Sequence, residues 1–251
     1  MGSGSRGNCT VVGAGRTMVL VDAGLSMRQT ARRLEALGVR KEEIGAILLT
    51  HEHTDHVAGA ARISRTWRIP VICRQQVAGR ARLLDQGAAA VRSLPEGTLD
   101  LGDLRVTPFP VSHDAVETVG FVLEGEGMRA GYATDLGEVT PEVEEALQEC
   151  HLLALEANHD VDMIREGPYP WALKQRILAS TGHLSNEAAG ALLGRLVGQQ
   201  TRQVLLTHLS EINNSPERAL MSARSAIQQT RNPEVSLEVA RQGRPGSPWR
   251  L

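Results

Sequence analysis

The densest cluster of chemically reactive side chains lies in residues 50–56, which read Thr-His-Glu-His-Thr-Asp-His and follow a run of apolar residues. Imidazoles and carboxylates are common ligands of divalent transition metals. In a helix, His51 and His56 would point from different faces. In a loop that leaves a buried strand, His51 and His53 can instead converge on one cation. Asp55 and His56 can then hold a second cation, so we interpret the segment as part of a two-metal site rather than as a charged surface turn.

The histidines of the chain follow a regular pattern. Of the eight, seven lie just after an apolar segment or at a junction between a loop and a helix, namely His51, His53, His56, His113, His159, His183 and His208. The apolar-Leu-Leu-Thr-His form of residues 47–51 recurs at residues 204–208, as if two halves of similar plan each end a strand in a histidine. Residues at the carboxyl ends of neighbouring strands gather along one edge of a sheet. We therefore expect these histidines to meet in space.

The hydrophobic pattern predicts alternating strands and helices that position these residues. Strands are predicted at residues 10–12, 17–21, 44–50, 70–73, 119–123, 128–133, 152–155 and 203–207. Helices are predicted at residues 26–37, 57–67, 75–84, 141–149 and 185–197. Residues 104–111 contain two prolines and are predicted to form an edge or irregular strand. This order indicates a layered α/β architecture, and the length fits a single domain, residues 1–251.

Composition excludes several classes of protein. The apolar content of 41% and charged content of 22% are ordinary for a globular protein. No apolar run approaches the ~18 residues needed to cross a bilayer, and no export signal is visible at the start. Cys9, Cys73 and Cys150 are odd in number and far apart, which excludes a CxxC zinc site and indicates a reducing compartment. We therefore expect a cytoplasmic protein without a membrane partner.

Positive charge is concentrated in one part of the chain. Residues 57–94 contain a single acid, Asp85, and seven arginines, namely Arg62, Arg65, Arg68, Arg74, Arg80, Arg82 and Arg92. We call these seven residues the arginine sector. Such a sector could steer a phosphate backbone towards bound metals. It could equally be a set of solvated helix faces, because a basic patch alone has low specificity.

Several segments resemble one protein family. The H-x-H-x-D-H pattern of residues 51–56 is that of the metallo-β-lactamase fold. Further segments resemble the nuclease-like branch of that family called YycJ or WalJ, namely residues 3–9, 20–26, 156–160, 167–171, 182–186 and 207–214. They occur in order over nearly the whole chain. The resemblance implies a metallo-β-lactamase-like αβ/βα four-layer sandwich of two similar halves in one domain.

The resemblance also implies a set of metal ligands. One metal would be bound by His51, His53 and His113, the other by Asp55, His56 and His208, and Asp135 would bridge the two. The cofactors would be two divalent metal ions, either Zn or Mn, with Fe as a further option, since imidazole suits all three.

The resemblance implies catalytic and substrate-binding residues as well. Asp55 would orient the attacking water in addition to binding metal. His183 and His159 would lie just outside the metals, where they could contact a phosphoryl oxygen or pass a proton to the leaving group. Neutral hydrogen bonds to the substrate would come from Asn8, Ser185 and Asn186.

The residues by themselves leave the roles of two carboxylates open. Asp22 follows a predicted strand and could cap a turn or orient a ligand imidazole. Asp135 could bridge two cations, or it could cap a helix ahead of Pro141.

The function that these expectations favour is hydrolysis of phosphodiesters by a metal-bridging hydroxide, most directly as a DNA nuclease. A 5'-3' exonuclease activity follows from the resemblance alone. The alternatives are a hydrolase of a small cyclic or linear phosphodiester, or another hydrolase of the same fold such as a thioesterase or lactamase. A non-catalytic metal-stabilised protein fits less well, because structural zinc sites are usually closed by four ligands.

Overall fold

Two β-sheets stacked face to face form the centre of the fold in a computed structural model, which describes residues 1–248. The five-stranded sheet contains, in spatial order, β1 (Thr10–Ala14), β2 (Thr17–Val21), β3 (Ile44–Leu48), β4 (Val71–Cys73) and β5 (Val91–Ser93). The seven-stranded sheet contains β6 (Leu99–Leu101), β7 (Leu104–Pro110), β8 (Val119–Gly125), β9 (Met128–Ala133), β10 (Leu152–Glu156), β11 (Gln203–Thr207) and β12 (Ser236–Val239).

Each sheet joins parallel strands to antiparallel ones. In the five-stranded sheet β2 to β5 are parallel, and β1 pairs antiparallel with β2. The spatial order of the seven-stranded sheet is β12-β11-β10-β9-β8-β7-β6, in which β9 to β12 are parallel and β6 to β9 antiparallel. The parallel strands β2 and β3 in one sheet, and β10 and β11 in the other, therefore end at corresponding places.

Helices cover the outer faces of both sheets. They are α1 (Met27–Ala36), α2 (Thr54–Val57), α3 (Ala60–Trp67), α4 (Gln75–Arg80), α5 (Pro141–Leu147), α6 (Val161–Glu166), α7 (Trp171–Leu178), α8 (Asn186–Leu196) and α9 (Pro216–Ile227). Ser26 caps α1 in a capping box with Gln29, and Ser185 caps α8, as the sequence predicts. Among residues 1–248, no helix has the length and apolar character to cross a membrane.

Alternation along the strands produces the layers. In β2, Val19 and Val21 face the opposite sheet, whereas Leu20 faces the helices, because successive side chains of a strand point to opposite faces. One apolar core lies between the sheets, a second lies under α1, α3 and α4, and a third lies under α5, α8 and α9. This confirms the predicted αβ/βα four-layer sandwich.

The elements β5, β6, β12, α6, α7 and α9 were not predicted from the sequence, and three predicted elements differ clearly from the structure. The helix predicted at residues 57–67 is split into α2 and α3, because the N–H of Gly59 donates to Ala23 rather than to the preceding helical turn. The helix predicted at residues 75–84 ends at Arg80. Strand β7 lies between β6 and β8, so it is not an edge strand. However, β6 pairs only with residues 104–106 of β7, which leaves the two prolines beyond it free of that neighbour.

Three residues in the predicted site region adopt left-handed backbone conformations just after strands. Asp22 follows β2 with φ 61°, Asp135 follows β9 with φ 56°, and His208 follows β11 with φ 55°. This conformation costs a non-glycine residue roughly 1–2 kcal/mol. This cost in free energy is incurred where the chain must turn immediately at the end of a strand.

Gly24 permits close packing of residues 50–56 against the turn after β2. Ala23 donates to the carbonyl oxygen of His56 at 2.8 Å and accepts from the N–H of Gly59 at 2.7 Å. A Cβ atom on Gly24 would lie 1.6 Å from the carbonyl oxygen of Asp55. Because both sides of this contact are backbone, neither can move aside.

We expect the substitution Gly24→Ala to lower the free energy of unfolding by about 3 kcal/mol, at the upper end for overpacking. Chemical denaturation of purified protein measures this change. The matched control is Gly79→Ala in α4, where an added Cβ meets nothing within 4 Å. It should leave stability unchanged or raise it by roughly 0.5–1 kcal/mol. Equal stability of the two variants would contradict the packing argument.

Candidate metal centre

The predicted site residues converge at one edge of the two sheets, where β3, β7, β9, β10 and β11 end. Six of them line a cleft of about 370 Å³, namely His53, Asp55, His113, Asp135, His183 and His208. A larger cleft of about 790 Å³ lies at the opposite edge and contains His151 but none of the predicted site residues. The predicted site residues that line a cleft are therefore all at the smaller one.

Asp22 orients two histidines of the first half of the chain. Its Oδ2 accepts from His56 Nδ1 at 2.8 Å, and its Oδ1 accepts from Thr50 Oγ1 at 3.0 Å. Thr50 Oγ1 also lies 2.9 Å from His51 Nδ1. Because the Thr50 hydroxyl hydrogen is directed to Asp22, its oxygen accepts from the Nδ1–H of His51. In their neutral forms, His51 and His56 therefore carry the free lone pair on Nε2, and Asp22 has the orienting role that the sequence left open.

Glu156, the last residue of β10, does the same in the second half. Its Oε1 accepts from His208 Nδ1 at 2.8 Å and from His183 Nδ1 at 2.9 Å. Its Oε2 accepts from the backbone N–H groups of Leu136 at 2.8 Å and Leu184 at 3.1 Å. Burial raises the pKa of Glu156, but the two imidazoles outweigh burial and bring the pKa to about 2. Glu156 is therefore an ionised carboxylate that directs both imidazoles by their Nδ1 atoms.

The orientation of the His113 ring is fixed in the same way, by a hydrogen bond from Nδ1 to a backbone carbonyl group instead of a carboxylate. Its Nδ1 donates to the carbonyl oxygen of Gly182 at 3.0 Å, so its Nε2 carries the lone pair. That Nε2 lies 3.2 Å from His53 Nδ1. The carboxylate of Glu52 accepts from the N–H of Val116 at 3.1 Å and so ties the loop of His113 to the first motif.

Asp135 lies between these histidines and is buried. Its Oδ2 is 3.1 Å from His56 Nε2, and its Oδ1 is 3.5 Å from His208 Nδ1 and 3.7 Å from His113 Nε2. Burial raises the pKa of Asp135, but His208 and His56 outweigh burial and hold it well below its usual range. The centre of the site is therefore an anion surrounded by imidazoles.

The donor atoms fit divalent metals. They lie within 4.8 Å of one another in three compact groups, namely His51 with His53 and His113, Asp55 with His56 and His208, and His51 with His56 and Asp135. Within residues 1–248, His51 Nε2 is buried and has no hydrogen-bond partner. Burial lowers the pKa of His56, but Asp135 and Asp22 outweigh burial and raise it well above its usual value, so a cation shared by His56 Nε2 and Asp135 Oδ2 would take the place of a proton. Burial, followed by the charge of His56, lowers the pKa of His51 well below its usual value, which favours the neutral imidazole that a metal requires.

Asn8 is buried behind the metal-binding residues rather than exposed to the cleft. Its Nδ2 donates to Asp55 Oδ2 at 3.1 Å and lies 2.9 Å from His56 Nε2. Its Oδ1 accepts from Ser3 Oγ at 3.2 Å, and Ser3 Oγ accepts from the backbone N–H of His208 at 2.8 Å. The first residues of the chain therefore connect Asp55 to His208. Asn8 supports Asp55 here, which differs from the predicted contact with substrate.

Three other predicted residues do not reach the cleft. The hydroxyl of Ser185 accepts from the N–H of Ala188 as the cap of α8. The amide of Asn186 is buried and pairs in both directions with that of Asn214 at 2.9 Å. His159 is 2% exposed, and its Nδ1 is buried. The interactions of these residues with substrate stay predictions.

Glu156 has no role in the sequence prediction, although it follows a predicted strand as Asp22 does. Its oxygens lie close enough to His183, His208 and Asp135 for a fourth metal-binding group. We interpret this group as hydrogen-bonded instead, because both oxygens of Glu156 already accept from N–H groups. Asp114 and Arg176 also line the cleft, and no motif in the sequence identifies them.

Comparison with known proteins identifies the family. The model described as the Beta-lactamase superfamily domain matches residues 17–209 of the chain. The protein belongs to this superfamily, and its fold is the metallo-β-lactamase fold.

Particular relatives agree with this assignment. The chain is 32% identical over 232 residues to the protein named Exodeoxyribonuclease YycJ of Bacillus anthracis, and the alignment covers 91% of this chain and 88% of that protein. It is 34% identical over 227 residues to Exodeoxyribonuclease WalJ of Streptococcus pneumoniae, covering 88% and 84% respectively. The metallo-β-lactamase fold protein YhfI of Bacillus subtilis superimposes with a TM-score of 0.72 at 17% identity, covering 96% of this chain and 95% of that one. At that identity the superposition shows the fold alone.

We expect Glu156→Gln to weaken metal binding by roughly 10–100-fold, the range found when a partner that orients a ligand is removed. The amide has the shape of the carboxylate but lacks its charge, so it cannot hold two imidazole N–H groups equally well. Metal content after dialysis against a buffered chelator measures the change. Glu145→Gln, an exposed acid on α5, is the matched control and should retain the wild-type metal content. Wild-type metal content in Glu156→Gln would contradict the orienting role.

Proposed function

We propose that this protein is a metal-dependent phosphodiesterase that hydrolyses DNA, as an exonuclease. The observation that carries the proposal is the pair of three-residue donor groups on either side of Asp135, open to a cleft that also contains His183. A closed structural site would not leave such an opening.

Two divalent cations fit the donors. His51, His53 and His113 would hold one, Asp55, His56 and His208 the other, and Asp135 would contact both. Zn and Mn suit this mixture of imidazoles and carboxylates, as does Fe. When bound, such a pair lowers the pKa of water enough to supply hydroxide at neutral pH and stabilises charge on the attacking and leaving oxygens.

His183 is the residue best placed to act on the substrate directly. Its side chain is 21% exposed and lines the cleft, and Glu156 holds its Nδ1. Its Nε2 remains for a phosphoryl oxygen or for transfer of a proton to the leaving oxygen. Asp55, supported by Asn8, is directed to the same space and orients the attacking water in this proposal.

DNA as the substrate rests on the relatives. Two proteins named exodeoxyribonucleases align with most of this chain at 32% and 34% identity. The alternative of a small phosphodiester needs the same metals, so activity against several substrates must decide between them.

The arginine sector is partly neutralised in the structure. Arg74 pairs with Glu96 at 2.9 Å, and Arg82 pairs with Asp85 at 3.2 Å. In the described part of the chain, Arg62, Arg65 and Arg68 make no ion pair. These three residues lie on or just after α3, which begins soon after the metal-binding segment. They are therefore the members of the sector that we propose to contact the phosphate backbone.

We expect the triple substitution of Arg62, Arg65 and Arg68 by Ala to flatten the salt dependence of DNA binding. Each lost phosphate contact should reduce the slope of log affinity against log salt by about 0.9 on duplex DNA. Fluorescence anisotropy over a salt series measures the slope. The matched control replaces Arg202, Arg231 and Arg244, which are exposed in the other half of the chain. An unaltered slope, or the same change in both triple variants, would make the sector a solvated surface.

The direct test of function combines metal analysis with a panel of substrates. End-labelled single- and double-stranded DNA, RNA and a chromogenic phosphodiester are each incubated with Mn and with Zn. We expect two metals per chain and stepwise shortening of DNA from an end. Turnover of the chromogenic substrate alone would favour the small phosphodiester, and no turnover of any substrate would refute the proposal.

In the same assay we expect His183→Ala to lower turnover roughly 10²–10⁴-fold while metal content stays at the wild-type level. The control is His151→Ala, because His151 lines the larger cleft at the opposite edge. Wild-type turnover in His183→Ala would remove His183 from the mechanism.

A further inference from the structure

Helix α7 forms one wall of the cleft although none of its residues is buried. Leu173, Arg176 and Ile177 line the cleft, at the spacing of three and four that places residues on one face of a helix. Tyr169, in the turn before the helix, lines the same wall. Residues 169–171 read Tyr-Pro-Trp, and the proposed catalytic chemistry does not use this turn.

Arg176 is held beside the metal-binding residues by Asp114. The Nε of Arg176 donates to Asp114 Oδ2. Asp114 Oδ1 lies 3.4 Å from His113 Nε2 and 3.9 Å from His53 Nε2. One carboxylate therefore separates the guanidinium from two of the proposed metal ligands.

The geometry leaves the end of the guanidinium free. The side chain of Arg176 is 60% exposed, and within residues 1–248 only its Nε makes a hydrogen bond. Its two terminal nitrogens can therefore donate to one anion in the forked arrangement that suits phosphate. Asp114 limits the rotation of the side chain, so less freedom is lost on binding.

The charge of the cleft gives Arg176 a specific place in substrate binding. The cleft is lined by Asp55, Asp114 and Asp135, and Arg176 is the one Arg or Lys in that lining. Asp135 and Asp55 belong to the proposed metal centre, whose cations would neutralise their negative charges. Those cations would not neutralise Asp114, so an anion bound beside Asp114 needs another positive charge, which Arg176 supplies.

We propose that Arg176 binds a second phosphate of the substrate strand, one nucleotide away from the phosphate that is hydrolysed. The proposal rests on the proposed function. Asp114 stands between Arg176 and the metal-binding histidines, which separates the two phosphate positions. Tyr169 and Leu173 lie on the same wall, where an aromatic and an apolar side chain can pack against the intervening nucleotide.

The test compares a substrate with one phosphate to a substrate with two. The thymidine dinucleotide TpT contains one phosphate and the trinucleotide TpTpT contains two. We expect Arg176→Gln to reduce kcat/KM for TpTpT by roughly 10–100-fold more than for TpT, as a charge-assisted pair of hydrogen bonds would, with most of the difference in KM. Arg176→Lys should show an intermediate loss, because it keeps the charge but not the fork.

The matched control is Lys174→Gln on the same helix. It removes the same charge, but the Nζ of Lys174 donates to the carbonyl oxygen of Arg165 and not to the cleft lining. We expect its losses on the two substrates to be equal. Equal losses on TpT and TpTpT in Arg176→Gln, or the same discrimination in Lys174→Gln, would overturn the proposal.

A binding measurement separates this proposal from the proposed function. Anisotropy of a labelled, hydrolysis-resistant phosphorothioate thymidine oligonucleotide with the metal-loaded protein reports the phosphate contact without turnover. Weaker binding by Arg176→Gln than by Lys174→Gln would support the contact even if the wild type hydrolysed neither substrate. Equal binding by Arg176→Gln, Arg176→Lys and the wild type would refute it even if the enzyme were active.

Discussion

The arrangement of the site depends on two buried carboxylates, Asp22 and Glu156, each of which accepts hydrogen bonds on the Nδ1 side of the imidazoles. Removing either would leave histidines free to rotate or to change tautomer, and their Nε2 atoms would no longer face a common point. The two carboxylates lie in similar places, because Asp22 and Glu156 each follow or end a strand that pairs in parallel with a strand leading into Thr-His. The repeat of residues 47–51 and 204–208 thus extends to a carboxylate on the neighbouring strand, but only Thr50 contacts its carboxylate and its histidine, since the hydroxyl of Thr207 has no hydrogen-bond partner in the described part of the chain.

Several features at the edge of the sheets where the site lies are unfavourable for the free energy of folding. Asp22, Asp135 and His208 adopt left-handed backbone conformations there, and ionised carboxylates are buried among imidazoles. Each feature opposes stability by on the order of 1–3 kcal/mol or more. Three apolar cores, two of them under helices on the outer faces, offset these costs. A site of this kind is stable only because the sandwich around it is extensive.

Much of the site could be predicted because strand ends carry it. Residues 51–56 have an informative spacing, and His113, Asp135 and His208 follow apolar strands, so their convergence was expected from the sequence. Their role as metal ligands stays a prediction. Spacing cannot show what a polar group contacts, which is why Asn186 was expected in the cleft although its amide pairs with Asn214.

Arg176 and the orienting role of Glu156 were missed for a related reason. Each depends on a partner distant in sequence, Asp114 for Arg176 and His208 for Glu156. Short or exposed strands such as β5 and β6 lack the apolar run that marks a strand, so the pattern did not predict them.

The link from Ser3 to the backbone of His208 has a consequence for the timing of synthesis. Ser3 leaves the ribosome 205 residues before His208. Contacts between such distant positions form late in folding, because a long loop must close first. A nascent chain that has not yet released His208 therefore lacks both this contact and one of the proposed cation-binding groups, so its chemistry can appear only after that point of translation.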